Sequence, residues 1–188
     1  ELLGASDITA LGVRARGDGG LSHSPEDRHR RGLILEFSVA DTLVLGQQHA
    51  WARRGVLDRA AIAANARTRI AAFVIRPADA TLSAGALSGG NQQKVVIARE
   101  LSRAFSVLLA AQPTRGVDVG AIEFIHGELR KARDAGKAIL LVSAELREVL
   151  SLSDRIAVMY GGRFVTVMSR SEASEEVLGP FMTGANRG

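Results

Sequence analysis

Leu87-Ser88-Gly89-Gly90-Asn91-Gln92 constrains this chain more than any other six residues. The segment is an elbow of small residues that opens a helix. Ser88 has the side chain of an N-cap, and Gly89 and Gly90 leave the first backbone N–H groups uncovered. Gln92 to Leu101 then carry an apolar stripe through Val95, Ala98 and Leu101 at helical spacing. The helix dipole turns its positive end toward the elbow, so a bare N-terminus beside a hydroxyl is suited to an anion, most often a phosphate. Alone, Ser-Gly-Gly fits an ordinary capped helix just as well. The order of elements downstream decides between the two.

Ser106 to Ala111 is a short apolar run of strand type, and it ends in a Pro113-Thr114 turn, then Gly116 and a helix capped by Asp118. The helix face is Ile122, Ile125, Leu129 and Ala132; Gly136 ends it, and Lys131 and Arg133 oppose the dipole in its last turns. Ala138 to Ser143 forms a second buried strand, followed by Ala144-Glu145, with Glu145 as the cap of a short helix to Leu150. Arg155 to Tyr160 and Phe164 to Met168 read as a hairpin around Gly161-Gly162. Ser171 or Ser174 starts a last short helix that Gly179-Pro180 is expected to stop. Upstream, residues 1–30 are short strand or loop pieces, residues 38–76 hold two or more helices, and Pro77 to Gly85 is a loop into the elbow. Strands joined by helices predict an α/β fold with a parallel sheet.

The 188 residues, 46% hydrophobic and 23% charged, suffice for a globular domain with a core. There is no cysteine, hence no disulfide framework or thiolate metal site. No apolar run is long enough for a transmembrane helix, and no signal peptide is recognisable. A net charge of +4 would suit nucleic acid, but the cations are spread along the chain and few aromatic residues accompany them. Arg28 and Arg31 read as solvated side chains or as contacts to a partner.

The order and spacing of these segments resemble the nucleotide-binding domain of ABC transporters. Leu87 to Gln92 matches the signature motif, Val107 to Thr114 the Walker B strand and turn, and Gly116-Val117-Asp118 the D-loop. Ser143-Ala144-Glu145 falls at the switch-histidine position and Pro25-Glu26-Asp27-Arg28 at the Q-loop. The resemblance implies part of a P-loop NTPase (RecA-like) fold, a parallel α/β sheet core with an inserted helical subdomain. Residues 1–30 would start the core and carry the Q-loop. Residues 31–103 would form the helical subdomain ending in the signature helix, residues 104–170 the rest of the core, and residues 171–188 a short helix and tail. No G-x-x-x-x-G-K-[ST] occurs in the sequence. The family places that P-loop ahead of the point where Glu1 stands, so the expectation is a domain that starts after its P-loop helix, inside a longer polypeptide.

Beyond the P-loop, phosphoryl transfer to water needs a Mg²⁺ holder, a group that orients the water and a sensor of the γ-phosphate. By the resemblance, the Mg²⁺ carboxylate position is Ala111, the general-base position is Gln112, the switch histidine position is Ala144 and the Q-loop glutamine position is Glu26. Loss of a general base alone costs roughly 10²- to 10⁴-fold. The domain's own site therefore reads as degenerate, and the chain alone is expected to be inactive and to hold neither ATP nor Mg²⁺ tightly. The signature is intact. In the family two domains face each other head to tail, and each ATP lies between one domain's P-loop and the other's signature. Ser88, Gly89, Gly90 and Asn91 would thus serve the partner's ATP, Ser88 and the Gly90 N–H at the γ-phosphate and Asn91 toward the ribose. Asn91 is a departure, since the family usually has Gln there. Asp118 would act both as helix cap and as D-loop contact.

The chain most resembles the second, C-terminal domain of tandem ribose-type and simple-nucleoside-type import ATPases, and Ala110-Ala111-Gln112 tilts it toward the nucleoside branch. The resemblance implies ATP and Mg²⁺ in the assembled transporter. It implies as partners the N-terminal domain of the same protein, membrane permease subunits and, indirectly, an extracytoplasmic substrate-binding lipoprotein, and no nucleic acid. The place would be the cytoplasmic face of a bacterial inner membrane, peripherally bound. Two other readings are a DNA-associated ABC-type ATPase head, which lacks support because no sustained heptads occur, and a non-catalytic module that docks to a permease.

Overall fold

The structure, a computed structural model, describes residues 2–3 and 6–185. The chain falls into two compact units, Glu1–Leu140 and Leu141–Gly188.

In the first unit come β1 (Leu2–Leu3), β2 (Ser6–Asp7), α1 (Val13–Asp18), β3 (Leu21–Ser24), α2 (Val39–Leu43), β4 (Ala52–Arg53), β5 (Val56–Leu57), α3 (Arg59–Ala72), α4 (Gly89–Leu101), β6 (Val107–Ala111) and α5 (Val119–Asp134). The boundary between the units falls within β7 (Ala138–Val142). β3, β6 and β7 make one sheet in that order. β3 and β6 run parallel, with Leu21 opposite Val107 and Ser24 opposite Ala110. The parallel core predicted from strand-helix alternation is therefore present. Two other small pairings are antiparallel, β1 with β2 and β4 with β5. The β4–β5 hairpin lies inside the stretch read as helical. Arg54 and Gly55 both take positive φ there, the geometry of a tight two-residue hairpin turn that breaks the helical run.

α4 is the centre of this unit. Val95, Val96, Ile97 and Ala98 are all fully buried, so the apolar surface is wider than the expected stripe of Val95, Ala98 and Leu101. A helix apolar on nearly every side must be enclosed, and α2, α5 and β3 all pack on α4. α5 contributes Ala121, Ile125 and Leu129, while Ile122 is only half-buried. Phe124 meets Phe73 edge to face with ring centroids 6.1 Å apart, and the Lys94 ammonium stands 4.9 Å over the Phe124 ring.

The C-terminal turn of α4 carries charge into this core. Arg99 and Glu100 are 5% and 4% exposed. Arg99 Nε donates to Glu100 Oε1 at 2.7 Å, and Arg99 Nη1 donates to the Gly32 carbonyl at 2.7 Å. The Ser22 hydroxyl of β3 donates to Glu100 Oε2 at 2.6 Å, and the His23 N–H donates to the same oxygen at 3.3 Å. Every charge in the cluster is thus met by a hydrogen bond or an opposite charge, as burial requires. The cluster ties α4 to β3 and to the wide turn Arg28–Gly32.

The second unit holds α6 (Leu146–Leu152), β8 (Arg155–Tyr160), β9 (Arg163–Ser169) and α7 (Glu175–Met182). β8 and β9 form the expected hairpin, Arg155 opposite Ser169, with Gly161 and Gly162 at φ 54° and 77° in the turn. Ile156, Val158, Ala173 and Leu178 make its core, with Leu146, Val149 and Phe181 packed against it. Two expectations fail here. Gly179-Pro180 does not stop the last helix: Ser174 caps it, and it runs through Pro180 to Met182. Pro180 forfeits one backbone hydrogen bond, but the fully buried Leu178 and the packed Phe181 on either side keep the segment helical. Glu145 stands at the start of α6 without capping it by its side chain. Its N–H instead donates to the Ser143 hydroxyl at 3.0 Å.

Candidate nucleotide-contact site

The elbow caps α4 as its sequence predicts, but its helix start is less bare than two glycines suggest: Gly89 is half-buried and Gly90 is buried against Asp118 and Ala121. Leu87 is buried and anchors the rear of the turn, while Ser88 is exposed at its tip. Ser88 takes extended φ and ψ of −61° and 156° and caps α4, accepting from the Asn91 N–H at 3.4 Å. The Asn91 side chain is fastened within the chain. Its Nδ2 donates to Ser88 Oγ at 3.0 Å, and its Oδ1 accepts from the Arg76 N–H at 2.7 Å. Asn91 therefore joins the elbow to the loop before it.

The two glycines leave room for close packing against them. A Cβ on Gly89 would stand 2.9 Å from Arg28 Nη2 and 3.2 Å from the Gly116 carbonyl. A Cβ on Gly90 would collide with Asp118 Oδ2 and stand 3.1 Å from the Ala121 Cβ. The D-loop residues thus pack directly on the elbow. Asp118 fills the expected role of cap: Oδ1 accepts from the Ala121 N–H at 2.9 Å at the start of α5, while Oδ2 lies against Gly90.

Arg28 is neither simply solvated nor free for a partner. Nη1 donates to the Arg115 carbonyl at 2.9 Å, Nη2 to the Gly116 carbonyl at 3.4 Å, and Nε to Gln92 Oε1 at 3.4 Å. Glu26, at the Q-loop position, pairs with Arg115 at 2.5 Å. Both side chains of that pair are more than half exposed, so it adds little to stability. Gln92, buried in the first turn of α4, donates to the Ala84 carbonyl at 3.2 Å and shares a hydrogen bond of 2.8 Å with His29 Nε2. The sequence reading missed Gln92 and Arg28 as fasteners. One local signal was available, since Asp27 two residues before His29 is placed to cap the turn. Asp27 Oδ1 does accept from the His29 and Arg30 N–H groups, each at 3.0 Å, and the Arg30 bond chiefly holds its carboxyl below the ordinary aspartate value.

β6 ends at Ala111, and Gln112 follows at φ 49° in the left-handed region that residues with a side chain seldom adopt. Ala111 ends in a methyl and Gln112 in a neutral amide, so neither position supplies a carboxylate, the side chain by which proteins usually hold Mg²⁺. Ala144 lies in the second unit, exposed in the loop between β7 and α6.

No family model matches the chain. It is 43% identical over 187 residues to the guanosine import ATP-binding protein NupO of Bacillus subtilis, covering 98% of this chain and 37% of that protein. It is 45% identical over 182 residues to the nucleoside import ATP-binding protein NupA of Lactococcus lactis, covering 96% and 36%. Ribose import ATP-binding proteins of several bacteria match at 37% to 42% identity. The chain thus spans little more than a third of the length of these curated relatives. Among solved structures, the ATP-binding cassette MJ0796 in a dimeric post-hydrolysis state with ADP and Pi superposes with a TM-score of 0.74 at 20% identity, covering 89% of this chain and 72% of that one. That likeness shows the fold. The chain carries the α/β fold of an ATP-binding cassette and is related, along almost its whole length, to the ATP-binding proteins of nucleoside and sugar importers.

Proposed function

We propose that this chain is the second nucleotide-binding domain of a tandem nucleoside importer ATPase, and that it completes the ATP site of its partner domain while its own site does not turn over. The observation that carries the reading is the contrast between two regions of the first unit. The elbow exposes Ser88 at the start of α4, with Gly89 half-buried and Gly90 buried behind it under Arg28 and Asp118. The end of β6 offers Ala111 and Gln112, with no carboxylate for Mg²⁺ or for a water's proton. Such an elbow gives its electrostatic stabilisation to a γ-phosphate brought by another domain. Likeness to nucleoside import proteins at 43% and 45% identity supports a nucleoside as the cargo. ATP and Mg²⁺ would then be bound chiefly by the partner domain, and permease subunits would hold the pair at the cytoplasmic face of the membrane. No helix among the described residues is long and apolar enough to cross a membrane.

The test is restoration. Ala111→Asp combined with Gln112→Glu, in the assembled transporter, is expected to change ATP hydrolysis by less than about 2-fold, against the 10²- to 10⁴-fold that a working base contributes. Ala144 would still supply no imidazole. A large rise in hydrolysis would show that this domain's own site is one step from activity, and that the reading of it as dead is wrong.

A further inference from the structure

Three stretches far apart in sequence meet around one guanidinium: residues 26–28, the elbow 88–92 and the turn 115–118 that contains the D-loop. Arg28 spans all of them, with two bonds to carbonyls of Arg115 and Gly116 and one to Gln92 in the first turn of α4. Its Nη2 also sits where a Cβ on Gly89 would come within 2.9 Å. Below it, Asp118 lies against Gly90. Glu26 pairs with the exposed side chain of Arg115, while Arg28 holds the Arg115 carbonyl just ahead of the D-loop. A planar fork with fixed donors suits this task, because it satisfies several acceptors in one geometry where an ammonium acts as a point charge. Carbonyls at a turn have no helical partner of their own, so losing the fork frees the D-loop to shift.

Resting on the function proposed above, we infer that Arg28 is a positioning residue that registers the D-loop against the signature elbow, so that the exposed Ser88 at the start of α4 is presented to the partner's nucleotide in a fixed geometry. Arg28 itself does not touch the nucleotide in this account. Its effect is on geometry, and a displacement of about 1 Å at a reacting centre can cost on the order of 10²-fold in rate.

The experiment compares Arg28→Ala, Arg28→Lys and Ser88→Arg in the assembled transporter, by steady-state ATP hydrolysis and amide hydrogen exchange. For Arg28→Ala, kcat and kcat/KM should fall together by about 10-fold or more, with KM for ATP nearly unmoved, the pattern of an interaction needed only in the transition state. Exchange at residues 115–118 should quicken while β6 and the body of α4 keep their protection, a local loosening that general destabilisation would not give. Arg28→Lys keeps the charge and most of the stem but not the fork, and should lose about 5-fold or more if geometry matters. If Arg28→Ala fails to fold, Arg28→Lys decides alone. Full activity in a folded Arg28→Ala, or in Arg28→Lys when Ala cannot be used, overturns the inference. Activity retained by Ser88→Arg as well would instead overturn the proposed function, because the elbow would then serve no nucleotide.

Discussion

Ser88→Arg is expected to cut ATP hydrolysis and solute uptake by the assembled transporter by about 10²-fold or more, the scale of losing an electrostatic contact to a developing phosphate charge. Ser88 is exposed at the tip of the elbow and buries no core surface. Its loss as a cap should cost about 1 kcal/mol of stability, too little to unfold a domain whose centre is the fully buried row Val95 to Ala98. The long side chain would fill the space an incoming phosphate needs. The domains could then bind nucleotide without closing on it. Thermal unfolding of the variant checks that the fold survives, and hydrolysis under the same conditions checks the block.

Glu100→Ala should be the most damaging single change to the fold. Glu100 receives hydrogen bonds from Ser22, His23 and Arg99 in a cluster that water barely reaches. Removing it leaves the Arg99 guanidinium buried with the Gly32 carbonyl as its one remaining partner of that cluster. Breaking a buried pair on one side costs about 3–5 kcal/mol, a large share of the stability of an ordinary domain. Urea denaturation followed by circular dichroism measures it. The loss should also depend on pH. Burial alone would raise the Glu100 pKa, but the charge of Arg99, with the Ser22 and Arg99 hydrogen bonds and Arg103 behind it, outweighs burial and holds the carboxyl below its ordinary value. A group depressed in the folded state contributes stability above its unfolded pKa and loses it as pH falls through the folded one. The gap between the native chain and Glu100→Gln should therefore be widest near neutrality and close below the ordinary glutamate range. A gap that widened in acid would contradict the cluster.

How much of this could be read in the residues follows from which interactions are local. The elbow, the caps at Ser88, Asp118 and Ser174, the hairpin at Gly161-Gly162 and the strand at Val107–Ala111 depend on neighbours within a few positions, and each stands where its sequence puts it. The centrality of α4 was only half visible. Val96 and Ile97 lie off the stripe, and what encloses them comes from elements distant in sequence. The same holds for Arg28, whose acceptors Arg115 and Gln92 lie 87 and 64 positions away. An arginine in a charged run looks solvated until the fold brings carbonyls to it. Pro180 misled for the opposite reason: its local preference is to break a helix, and packing of Leu178 and Phe181 overrides it.

In the proposed function this elbow meets a nucleotide held by another domain. The chain has no cysteine, so Ser88→Cys places a single thiol at the tip of α4, where the helix start favours the reactive thiolate. The direct measurement is the rate at which a small thiol reagent modifies that position in the assembled transporter, read by mass spectrometry, with and without ATP, Mg²⁺ and vanadate to hold the closed state. Lys131→Cys, on the exposed side of α5, serves as the control. The account predicts that trapping slows modification at position 88 by about 10-fold or more while the control is unchanged, since a bound phosphate covers the helix start. Equal rates at position 88 in the open and trapped states would mean that nothing docks on the elbow, and would contradict it.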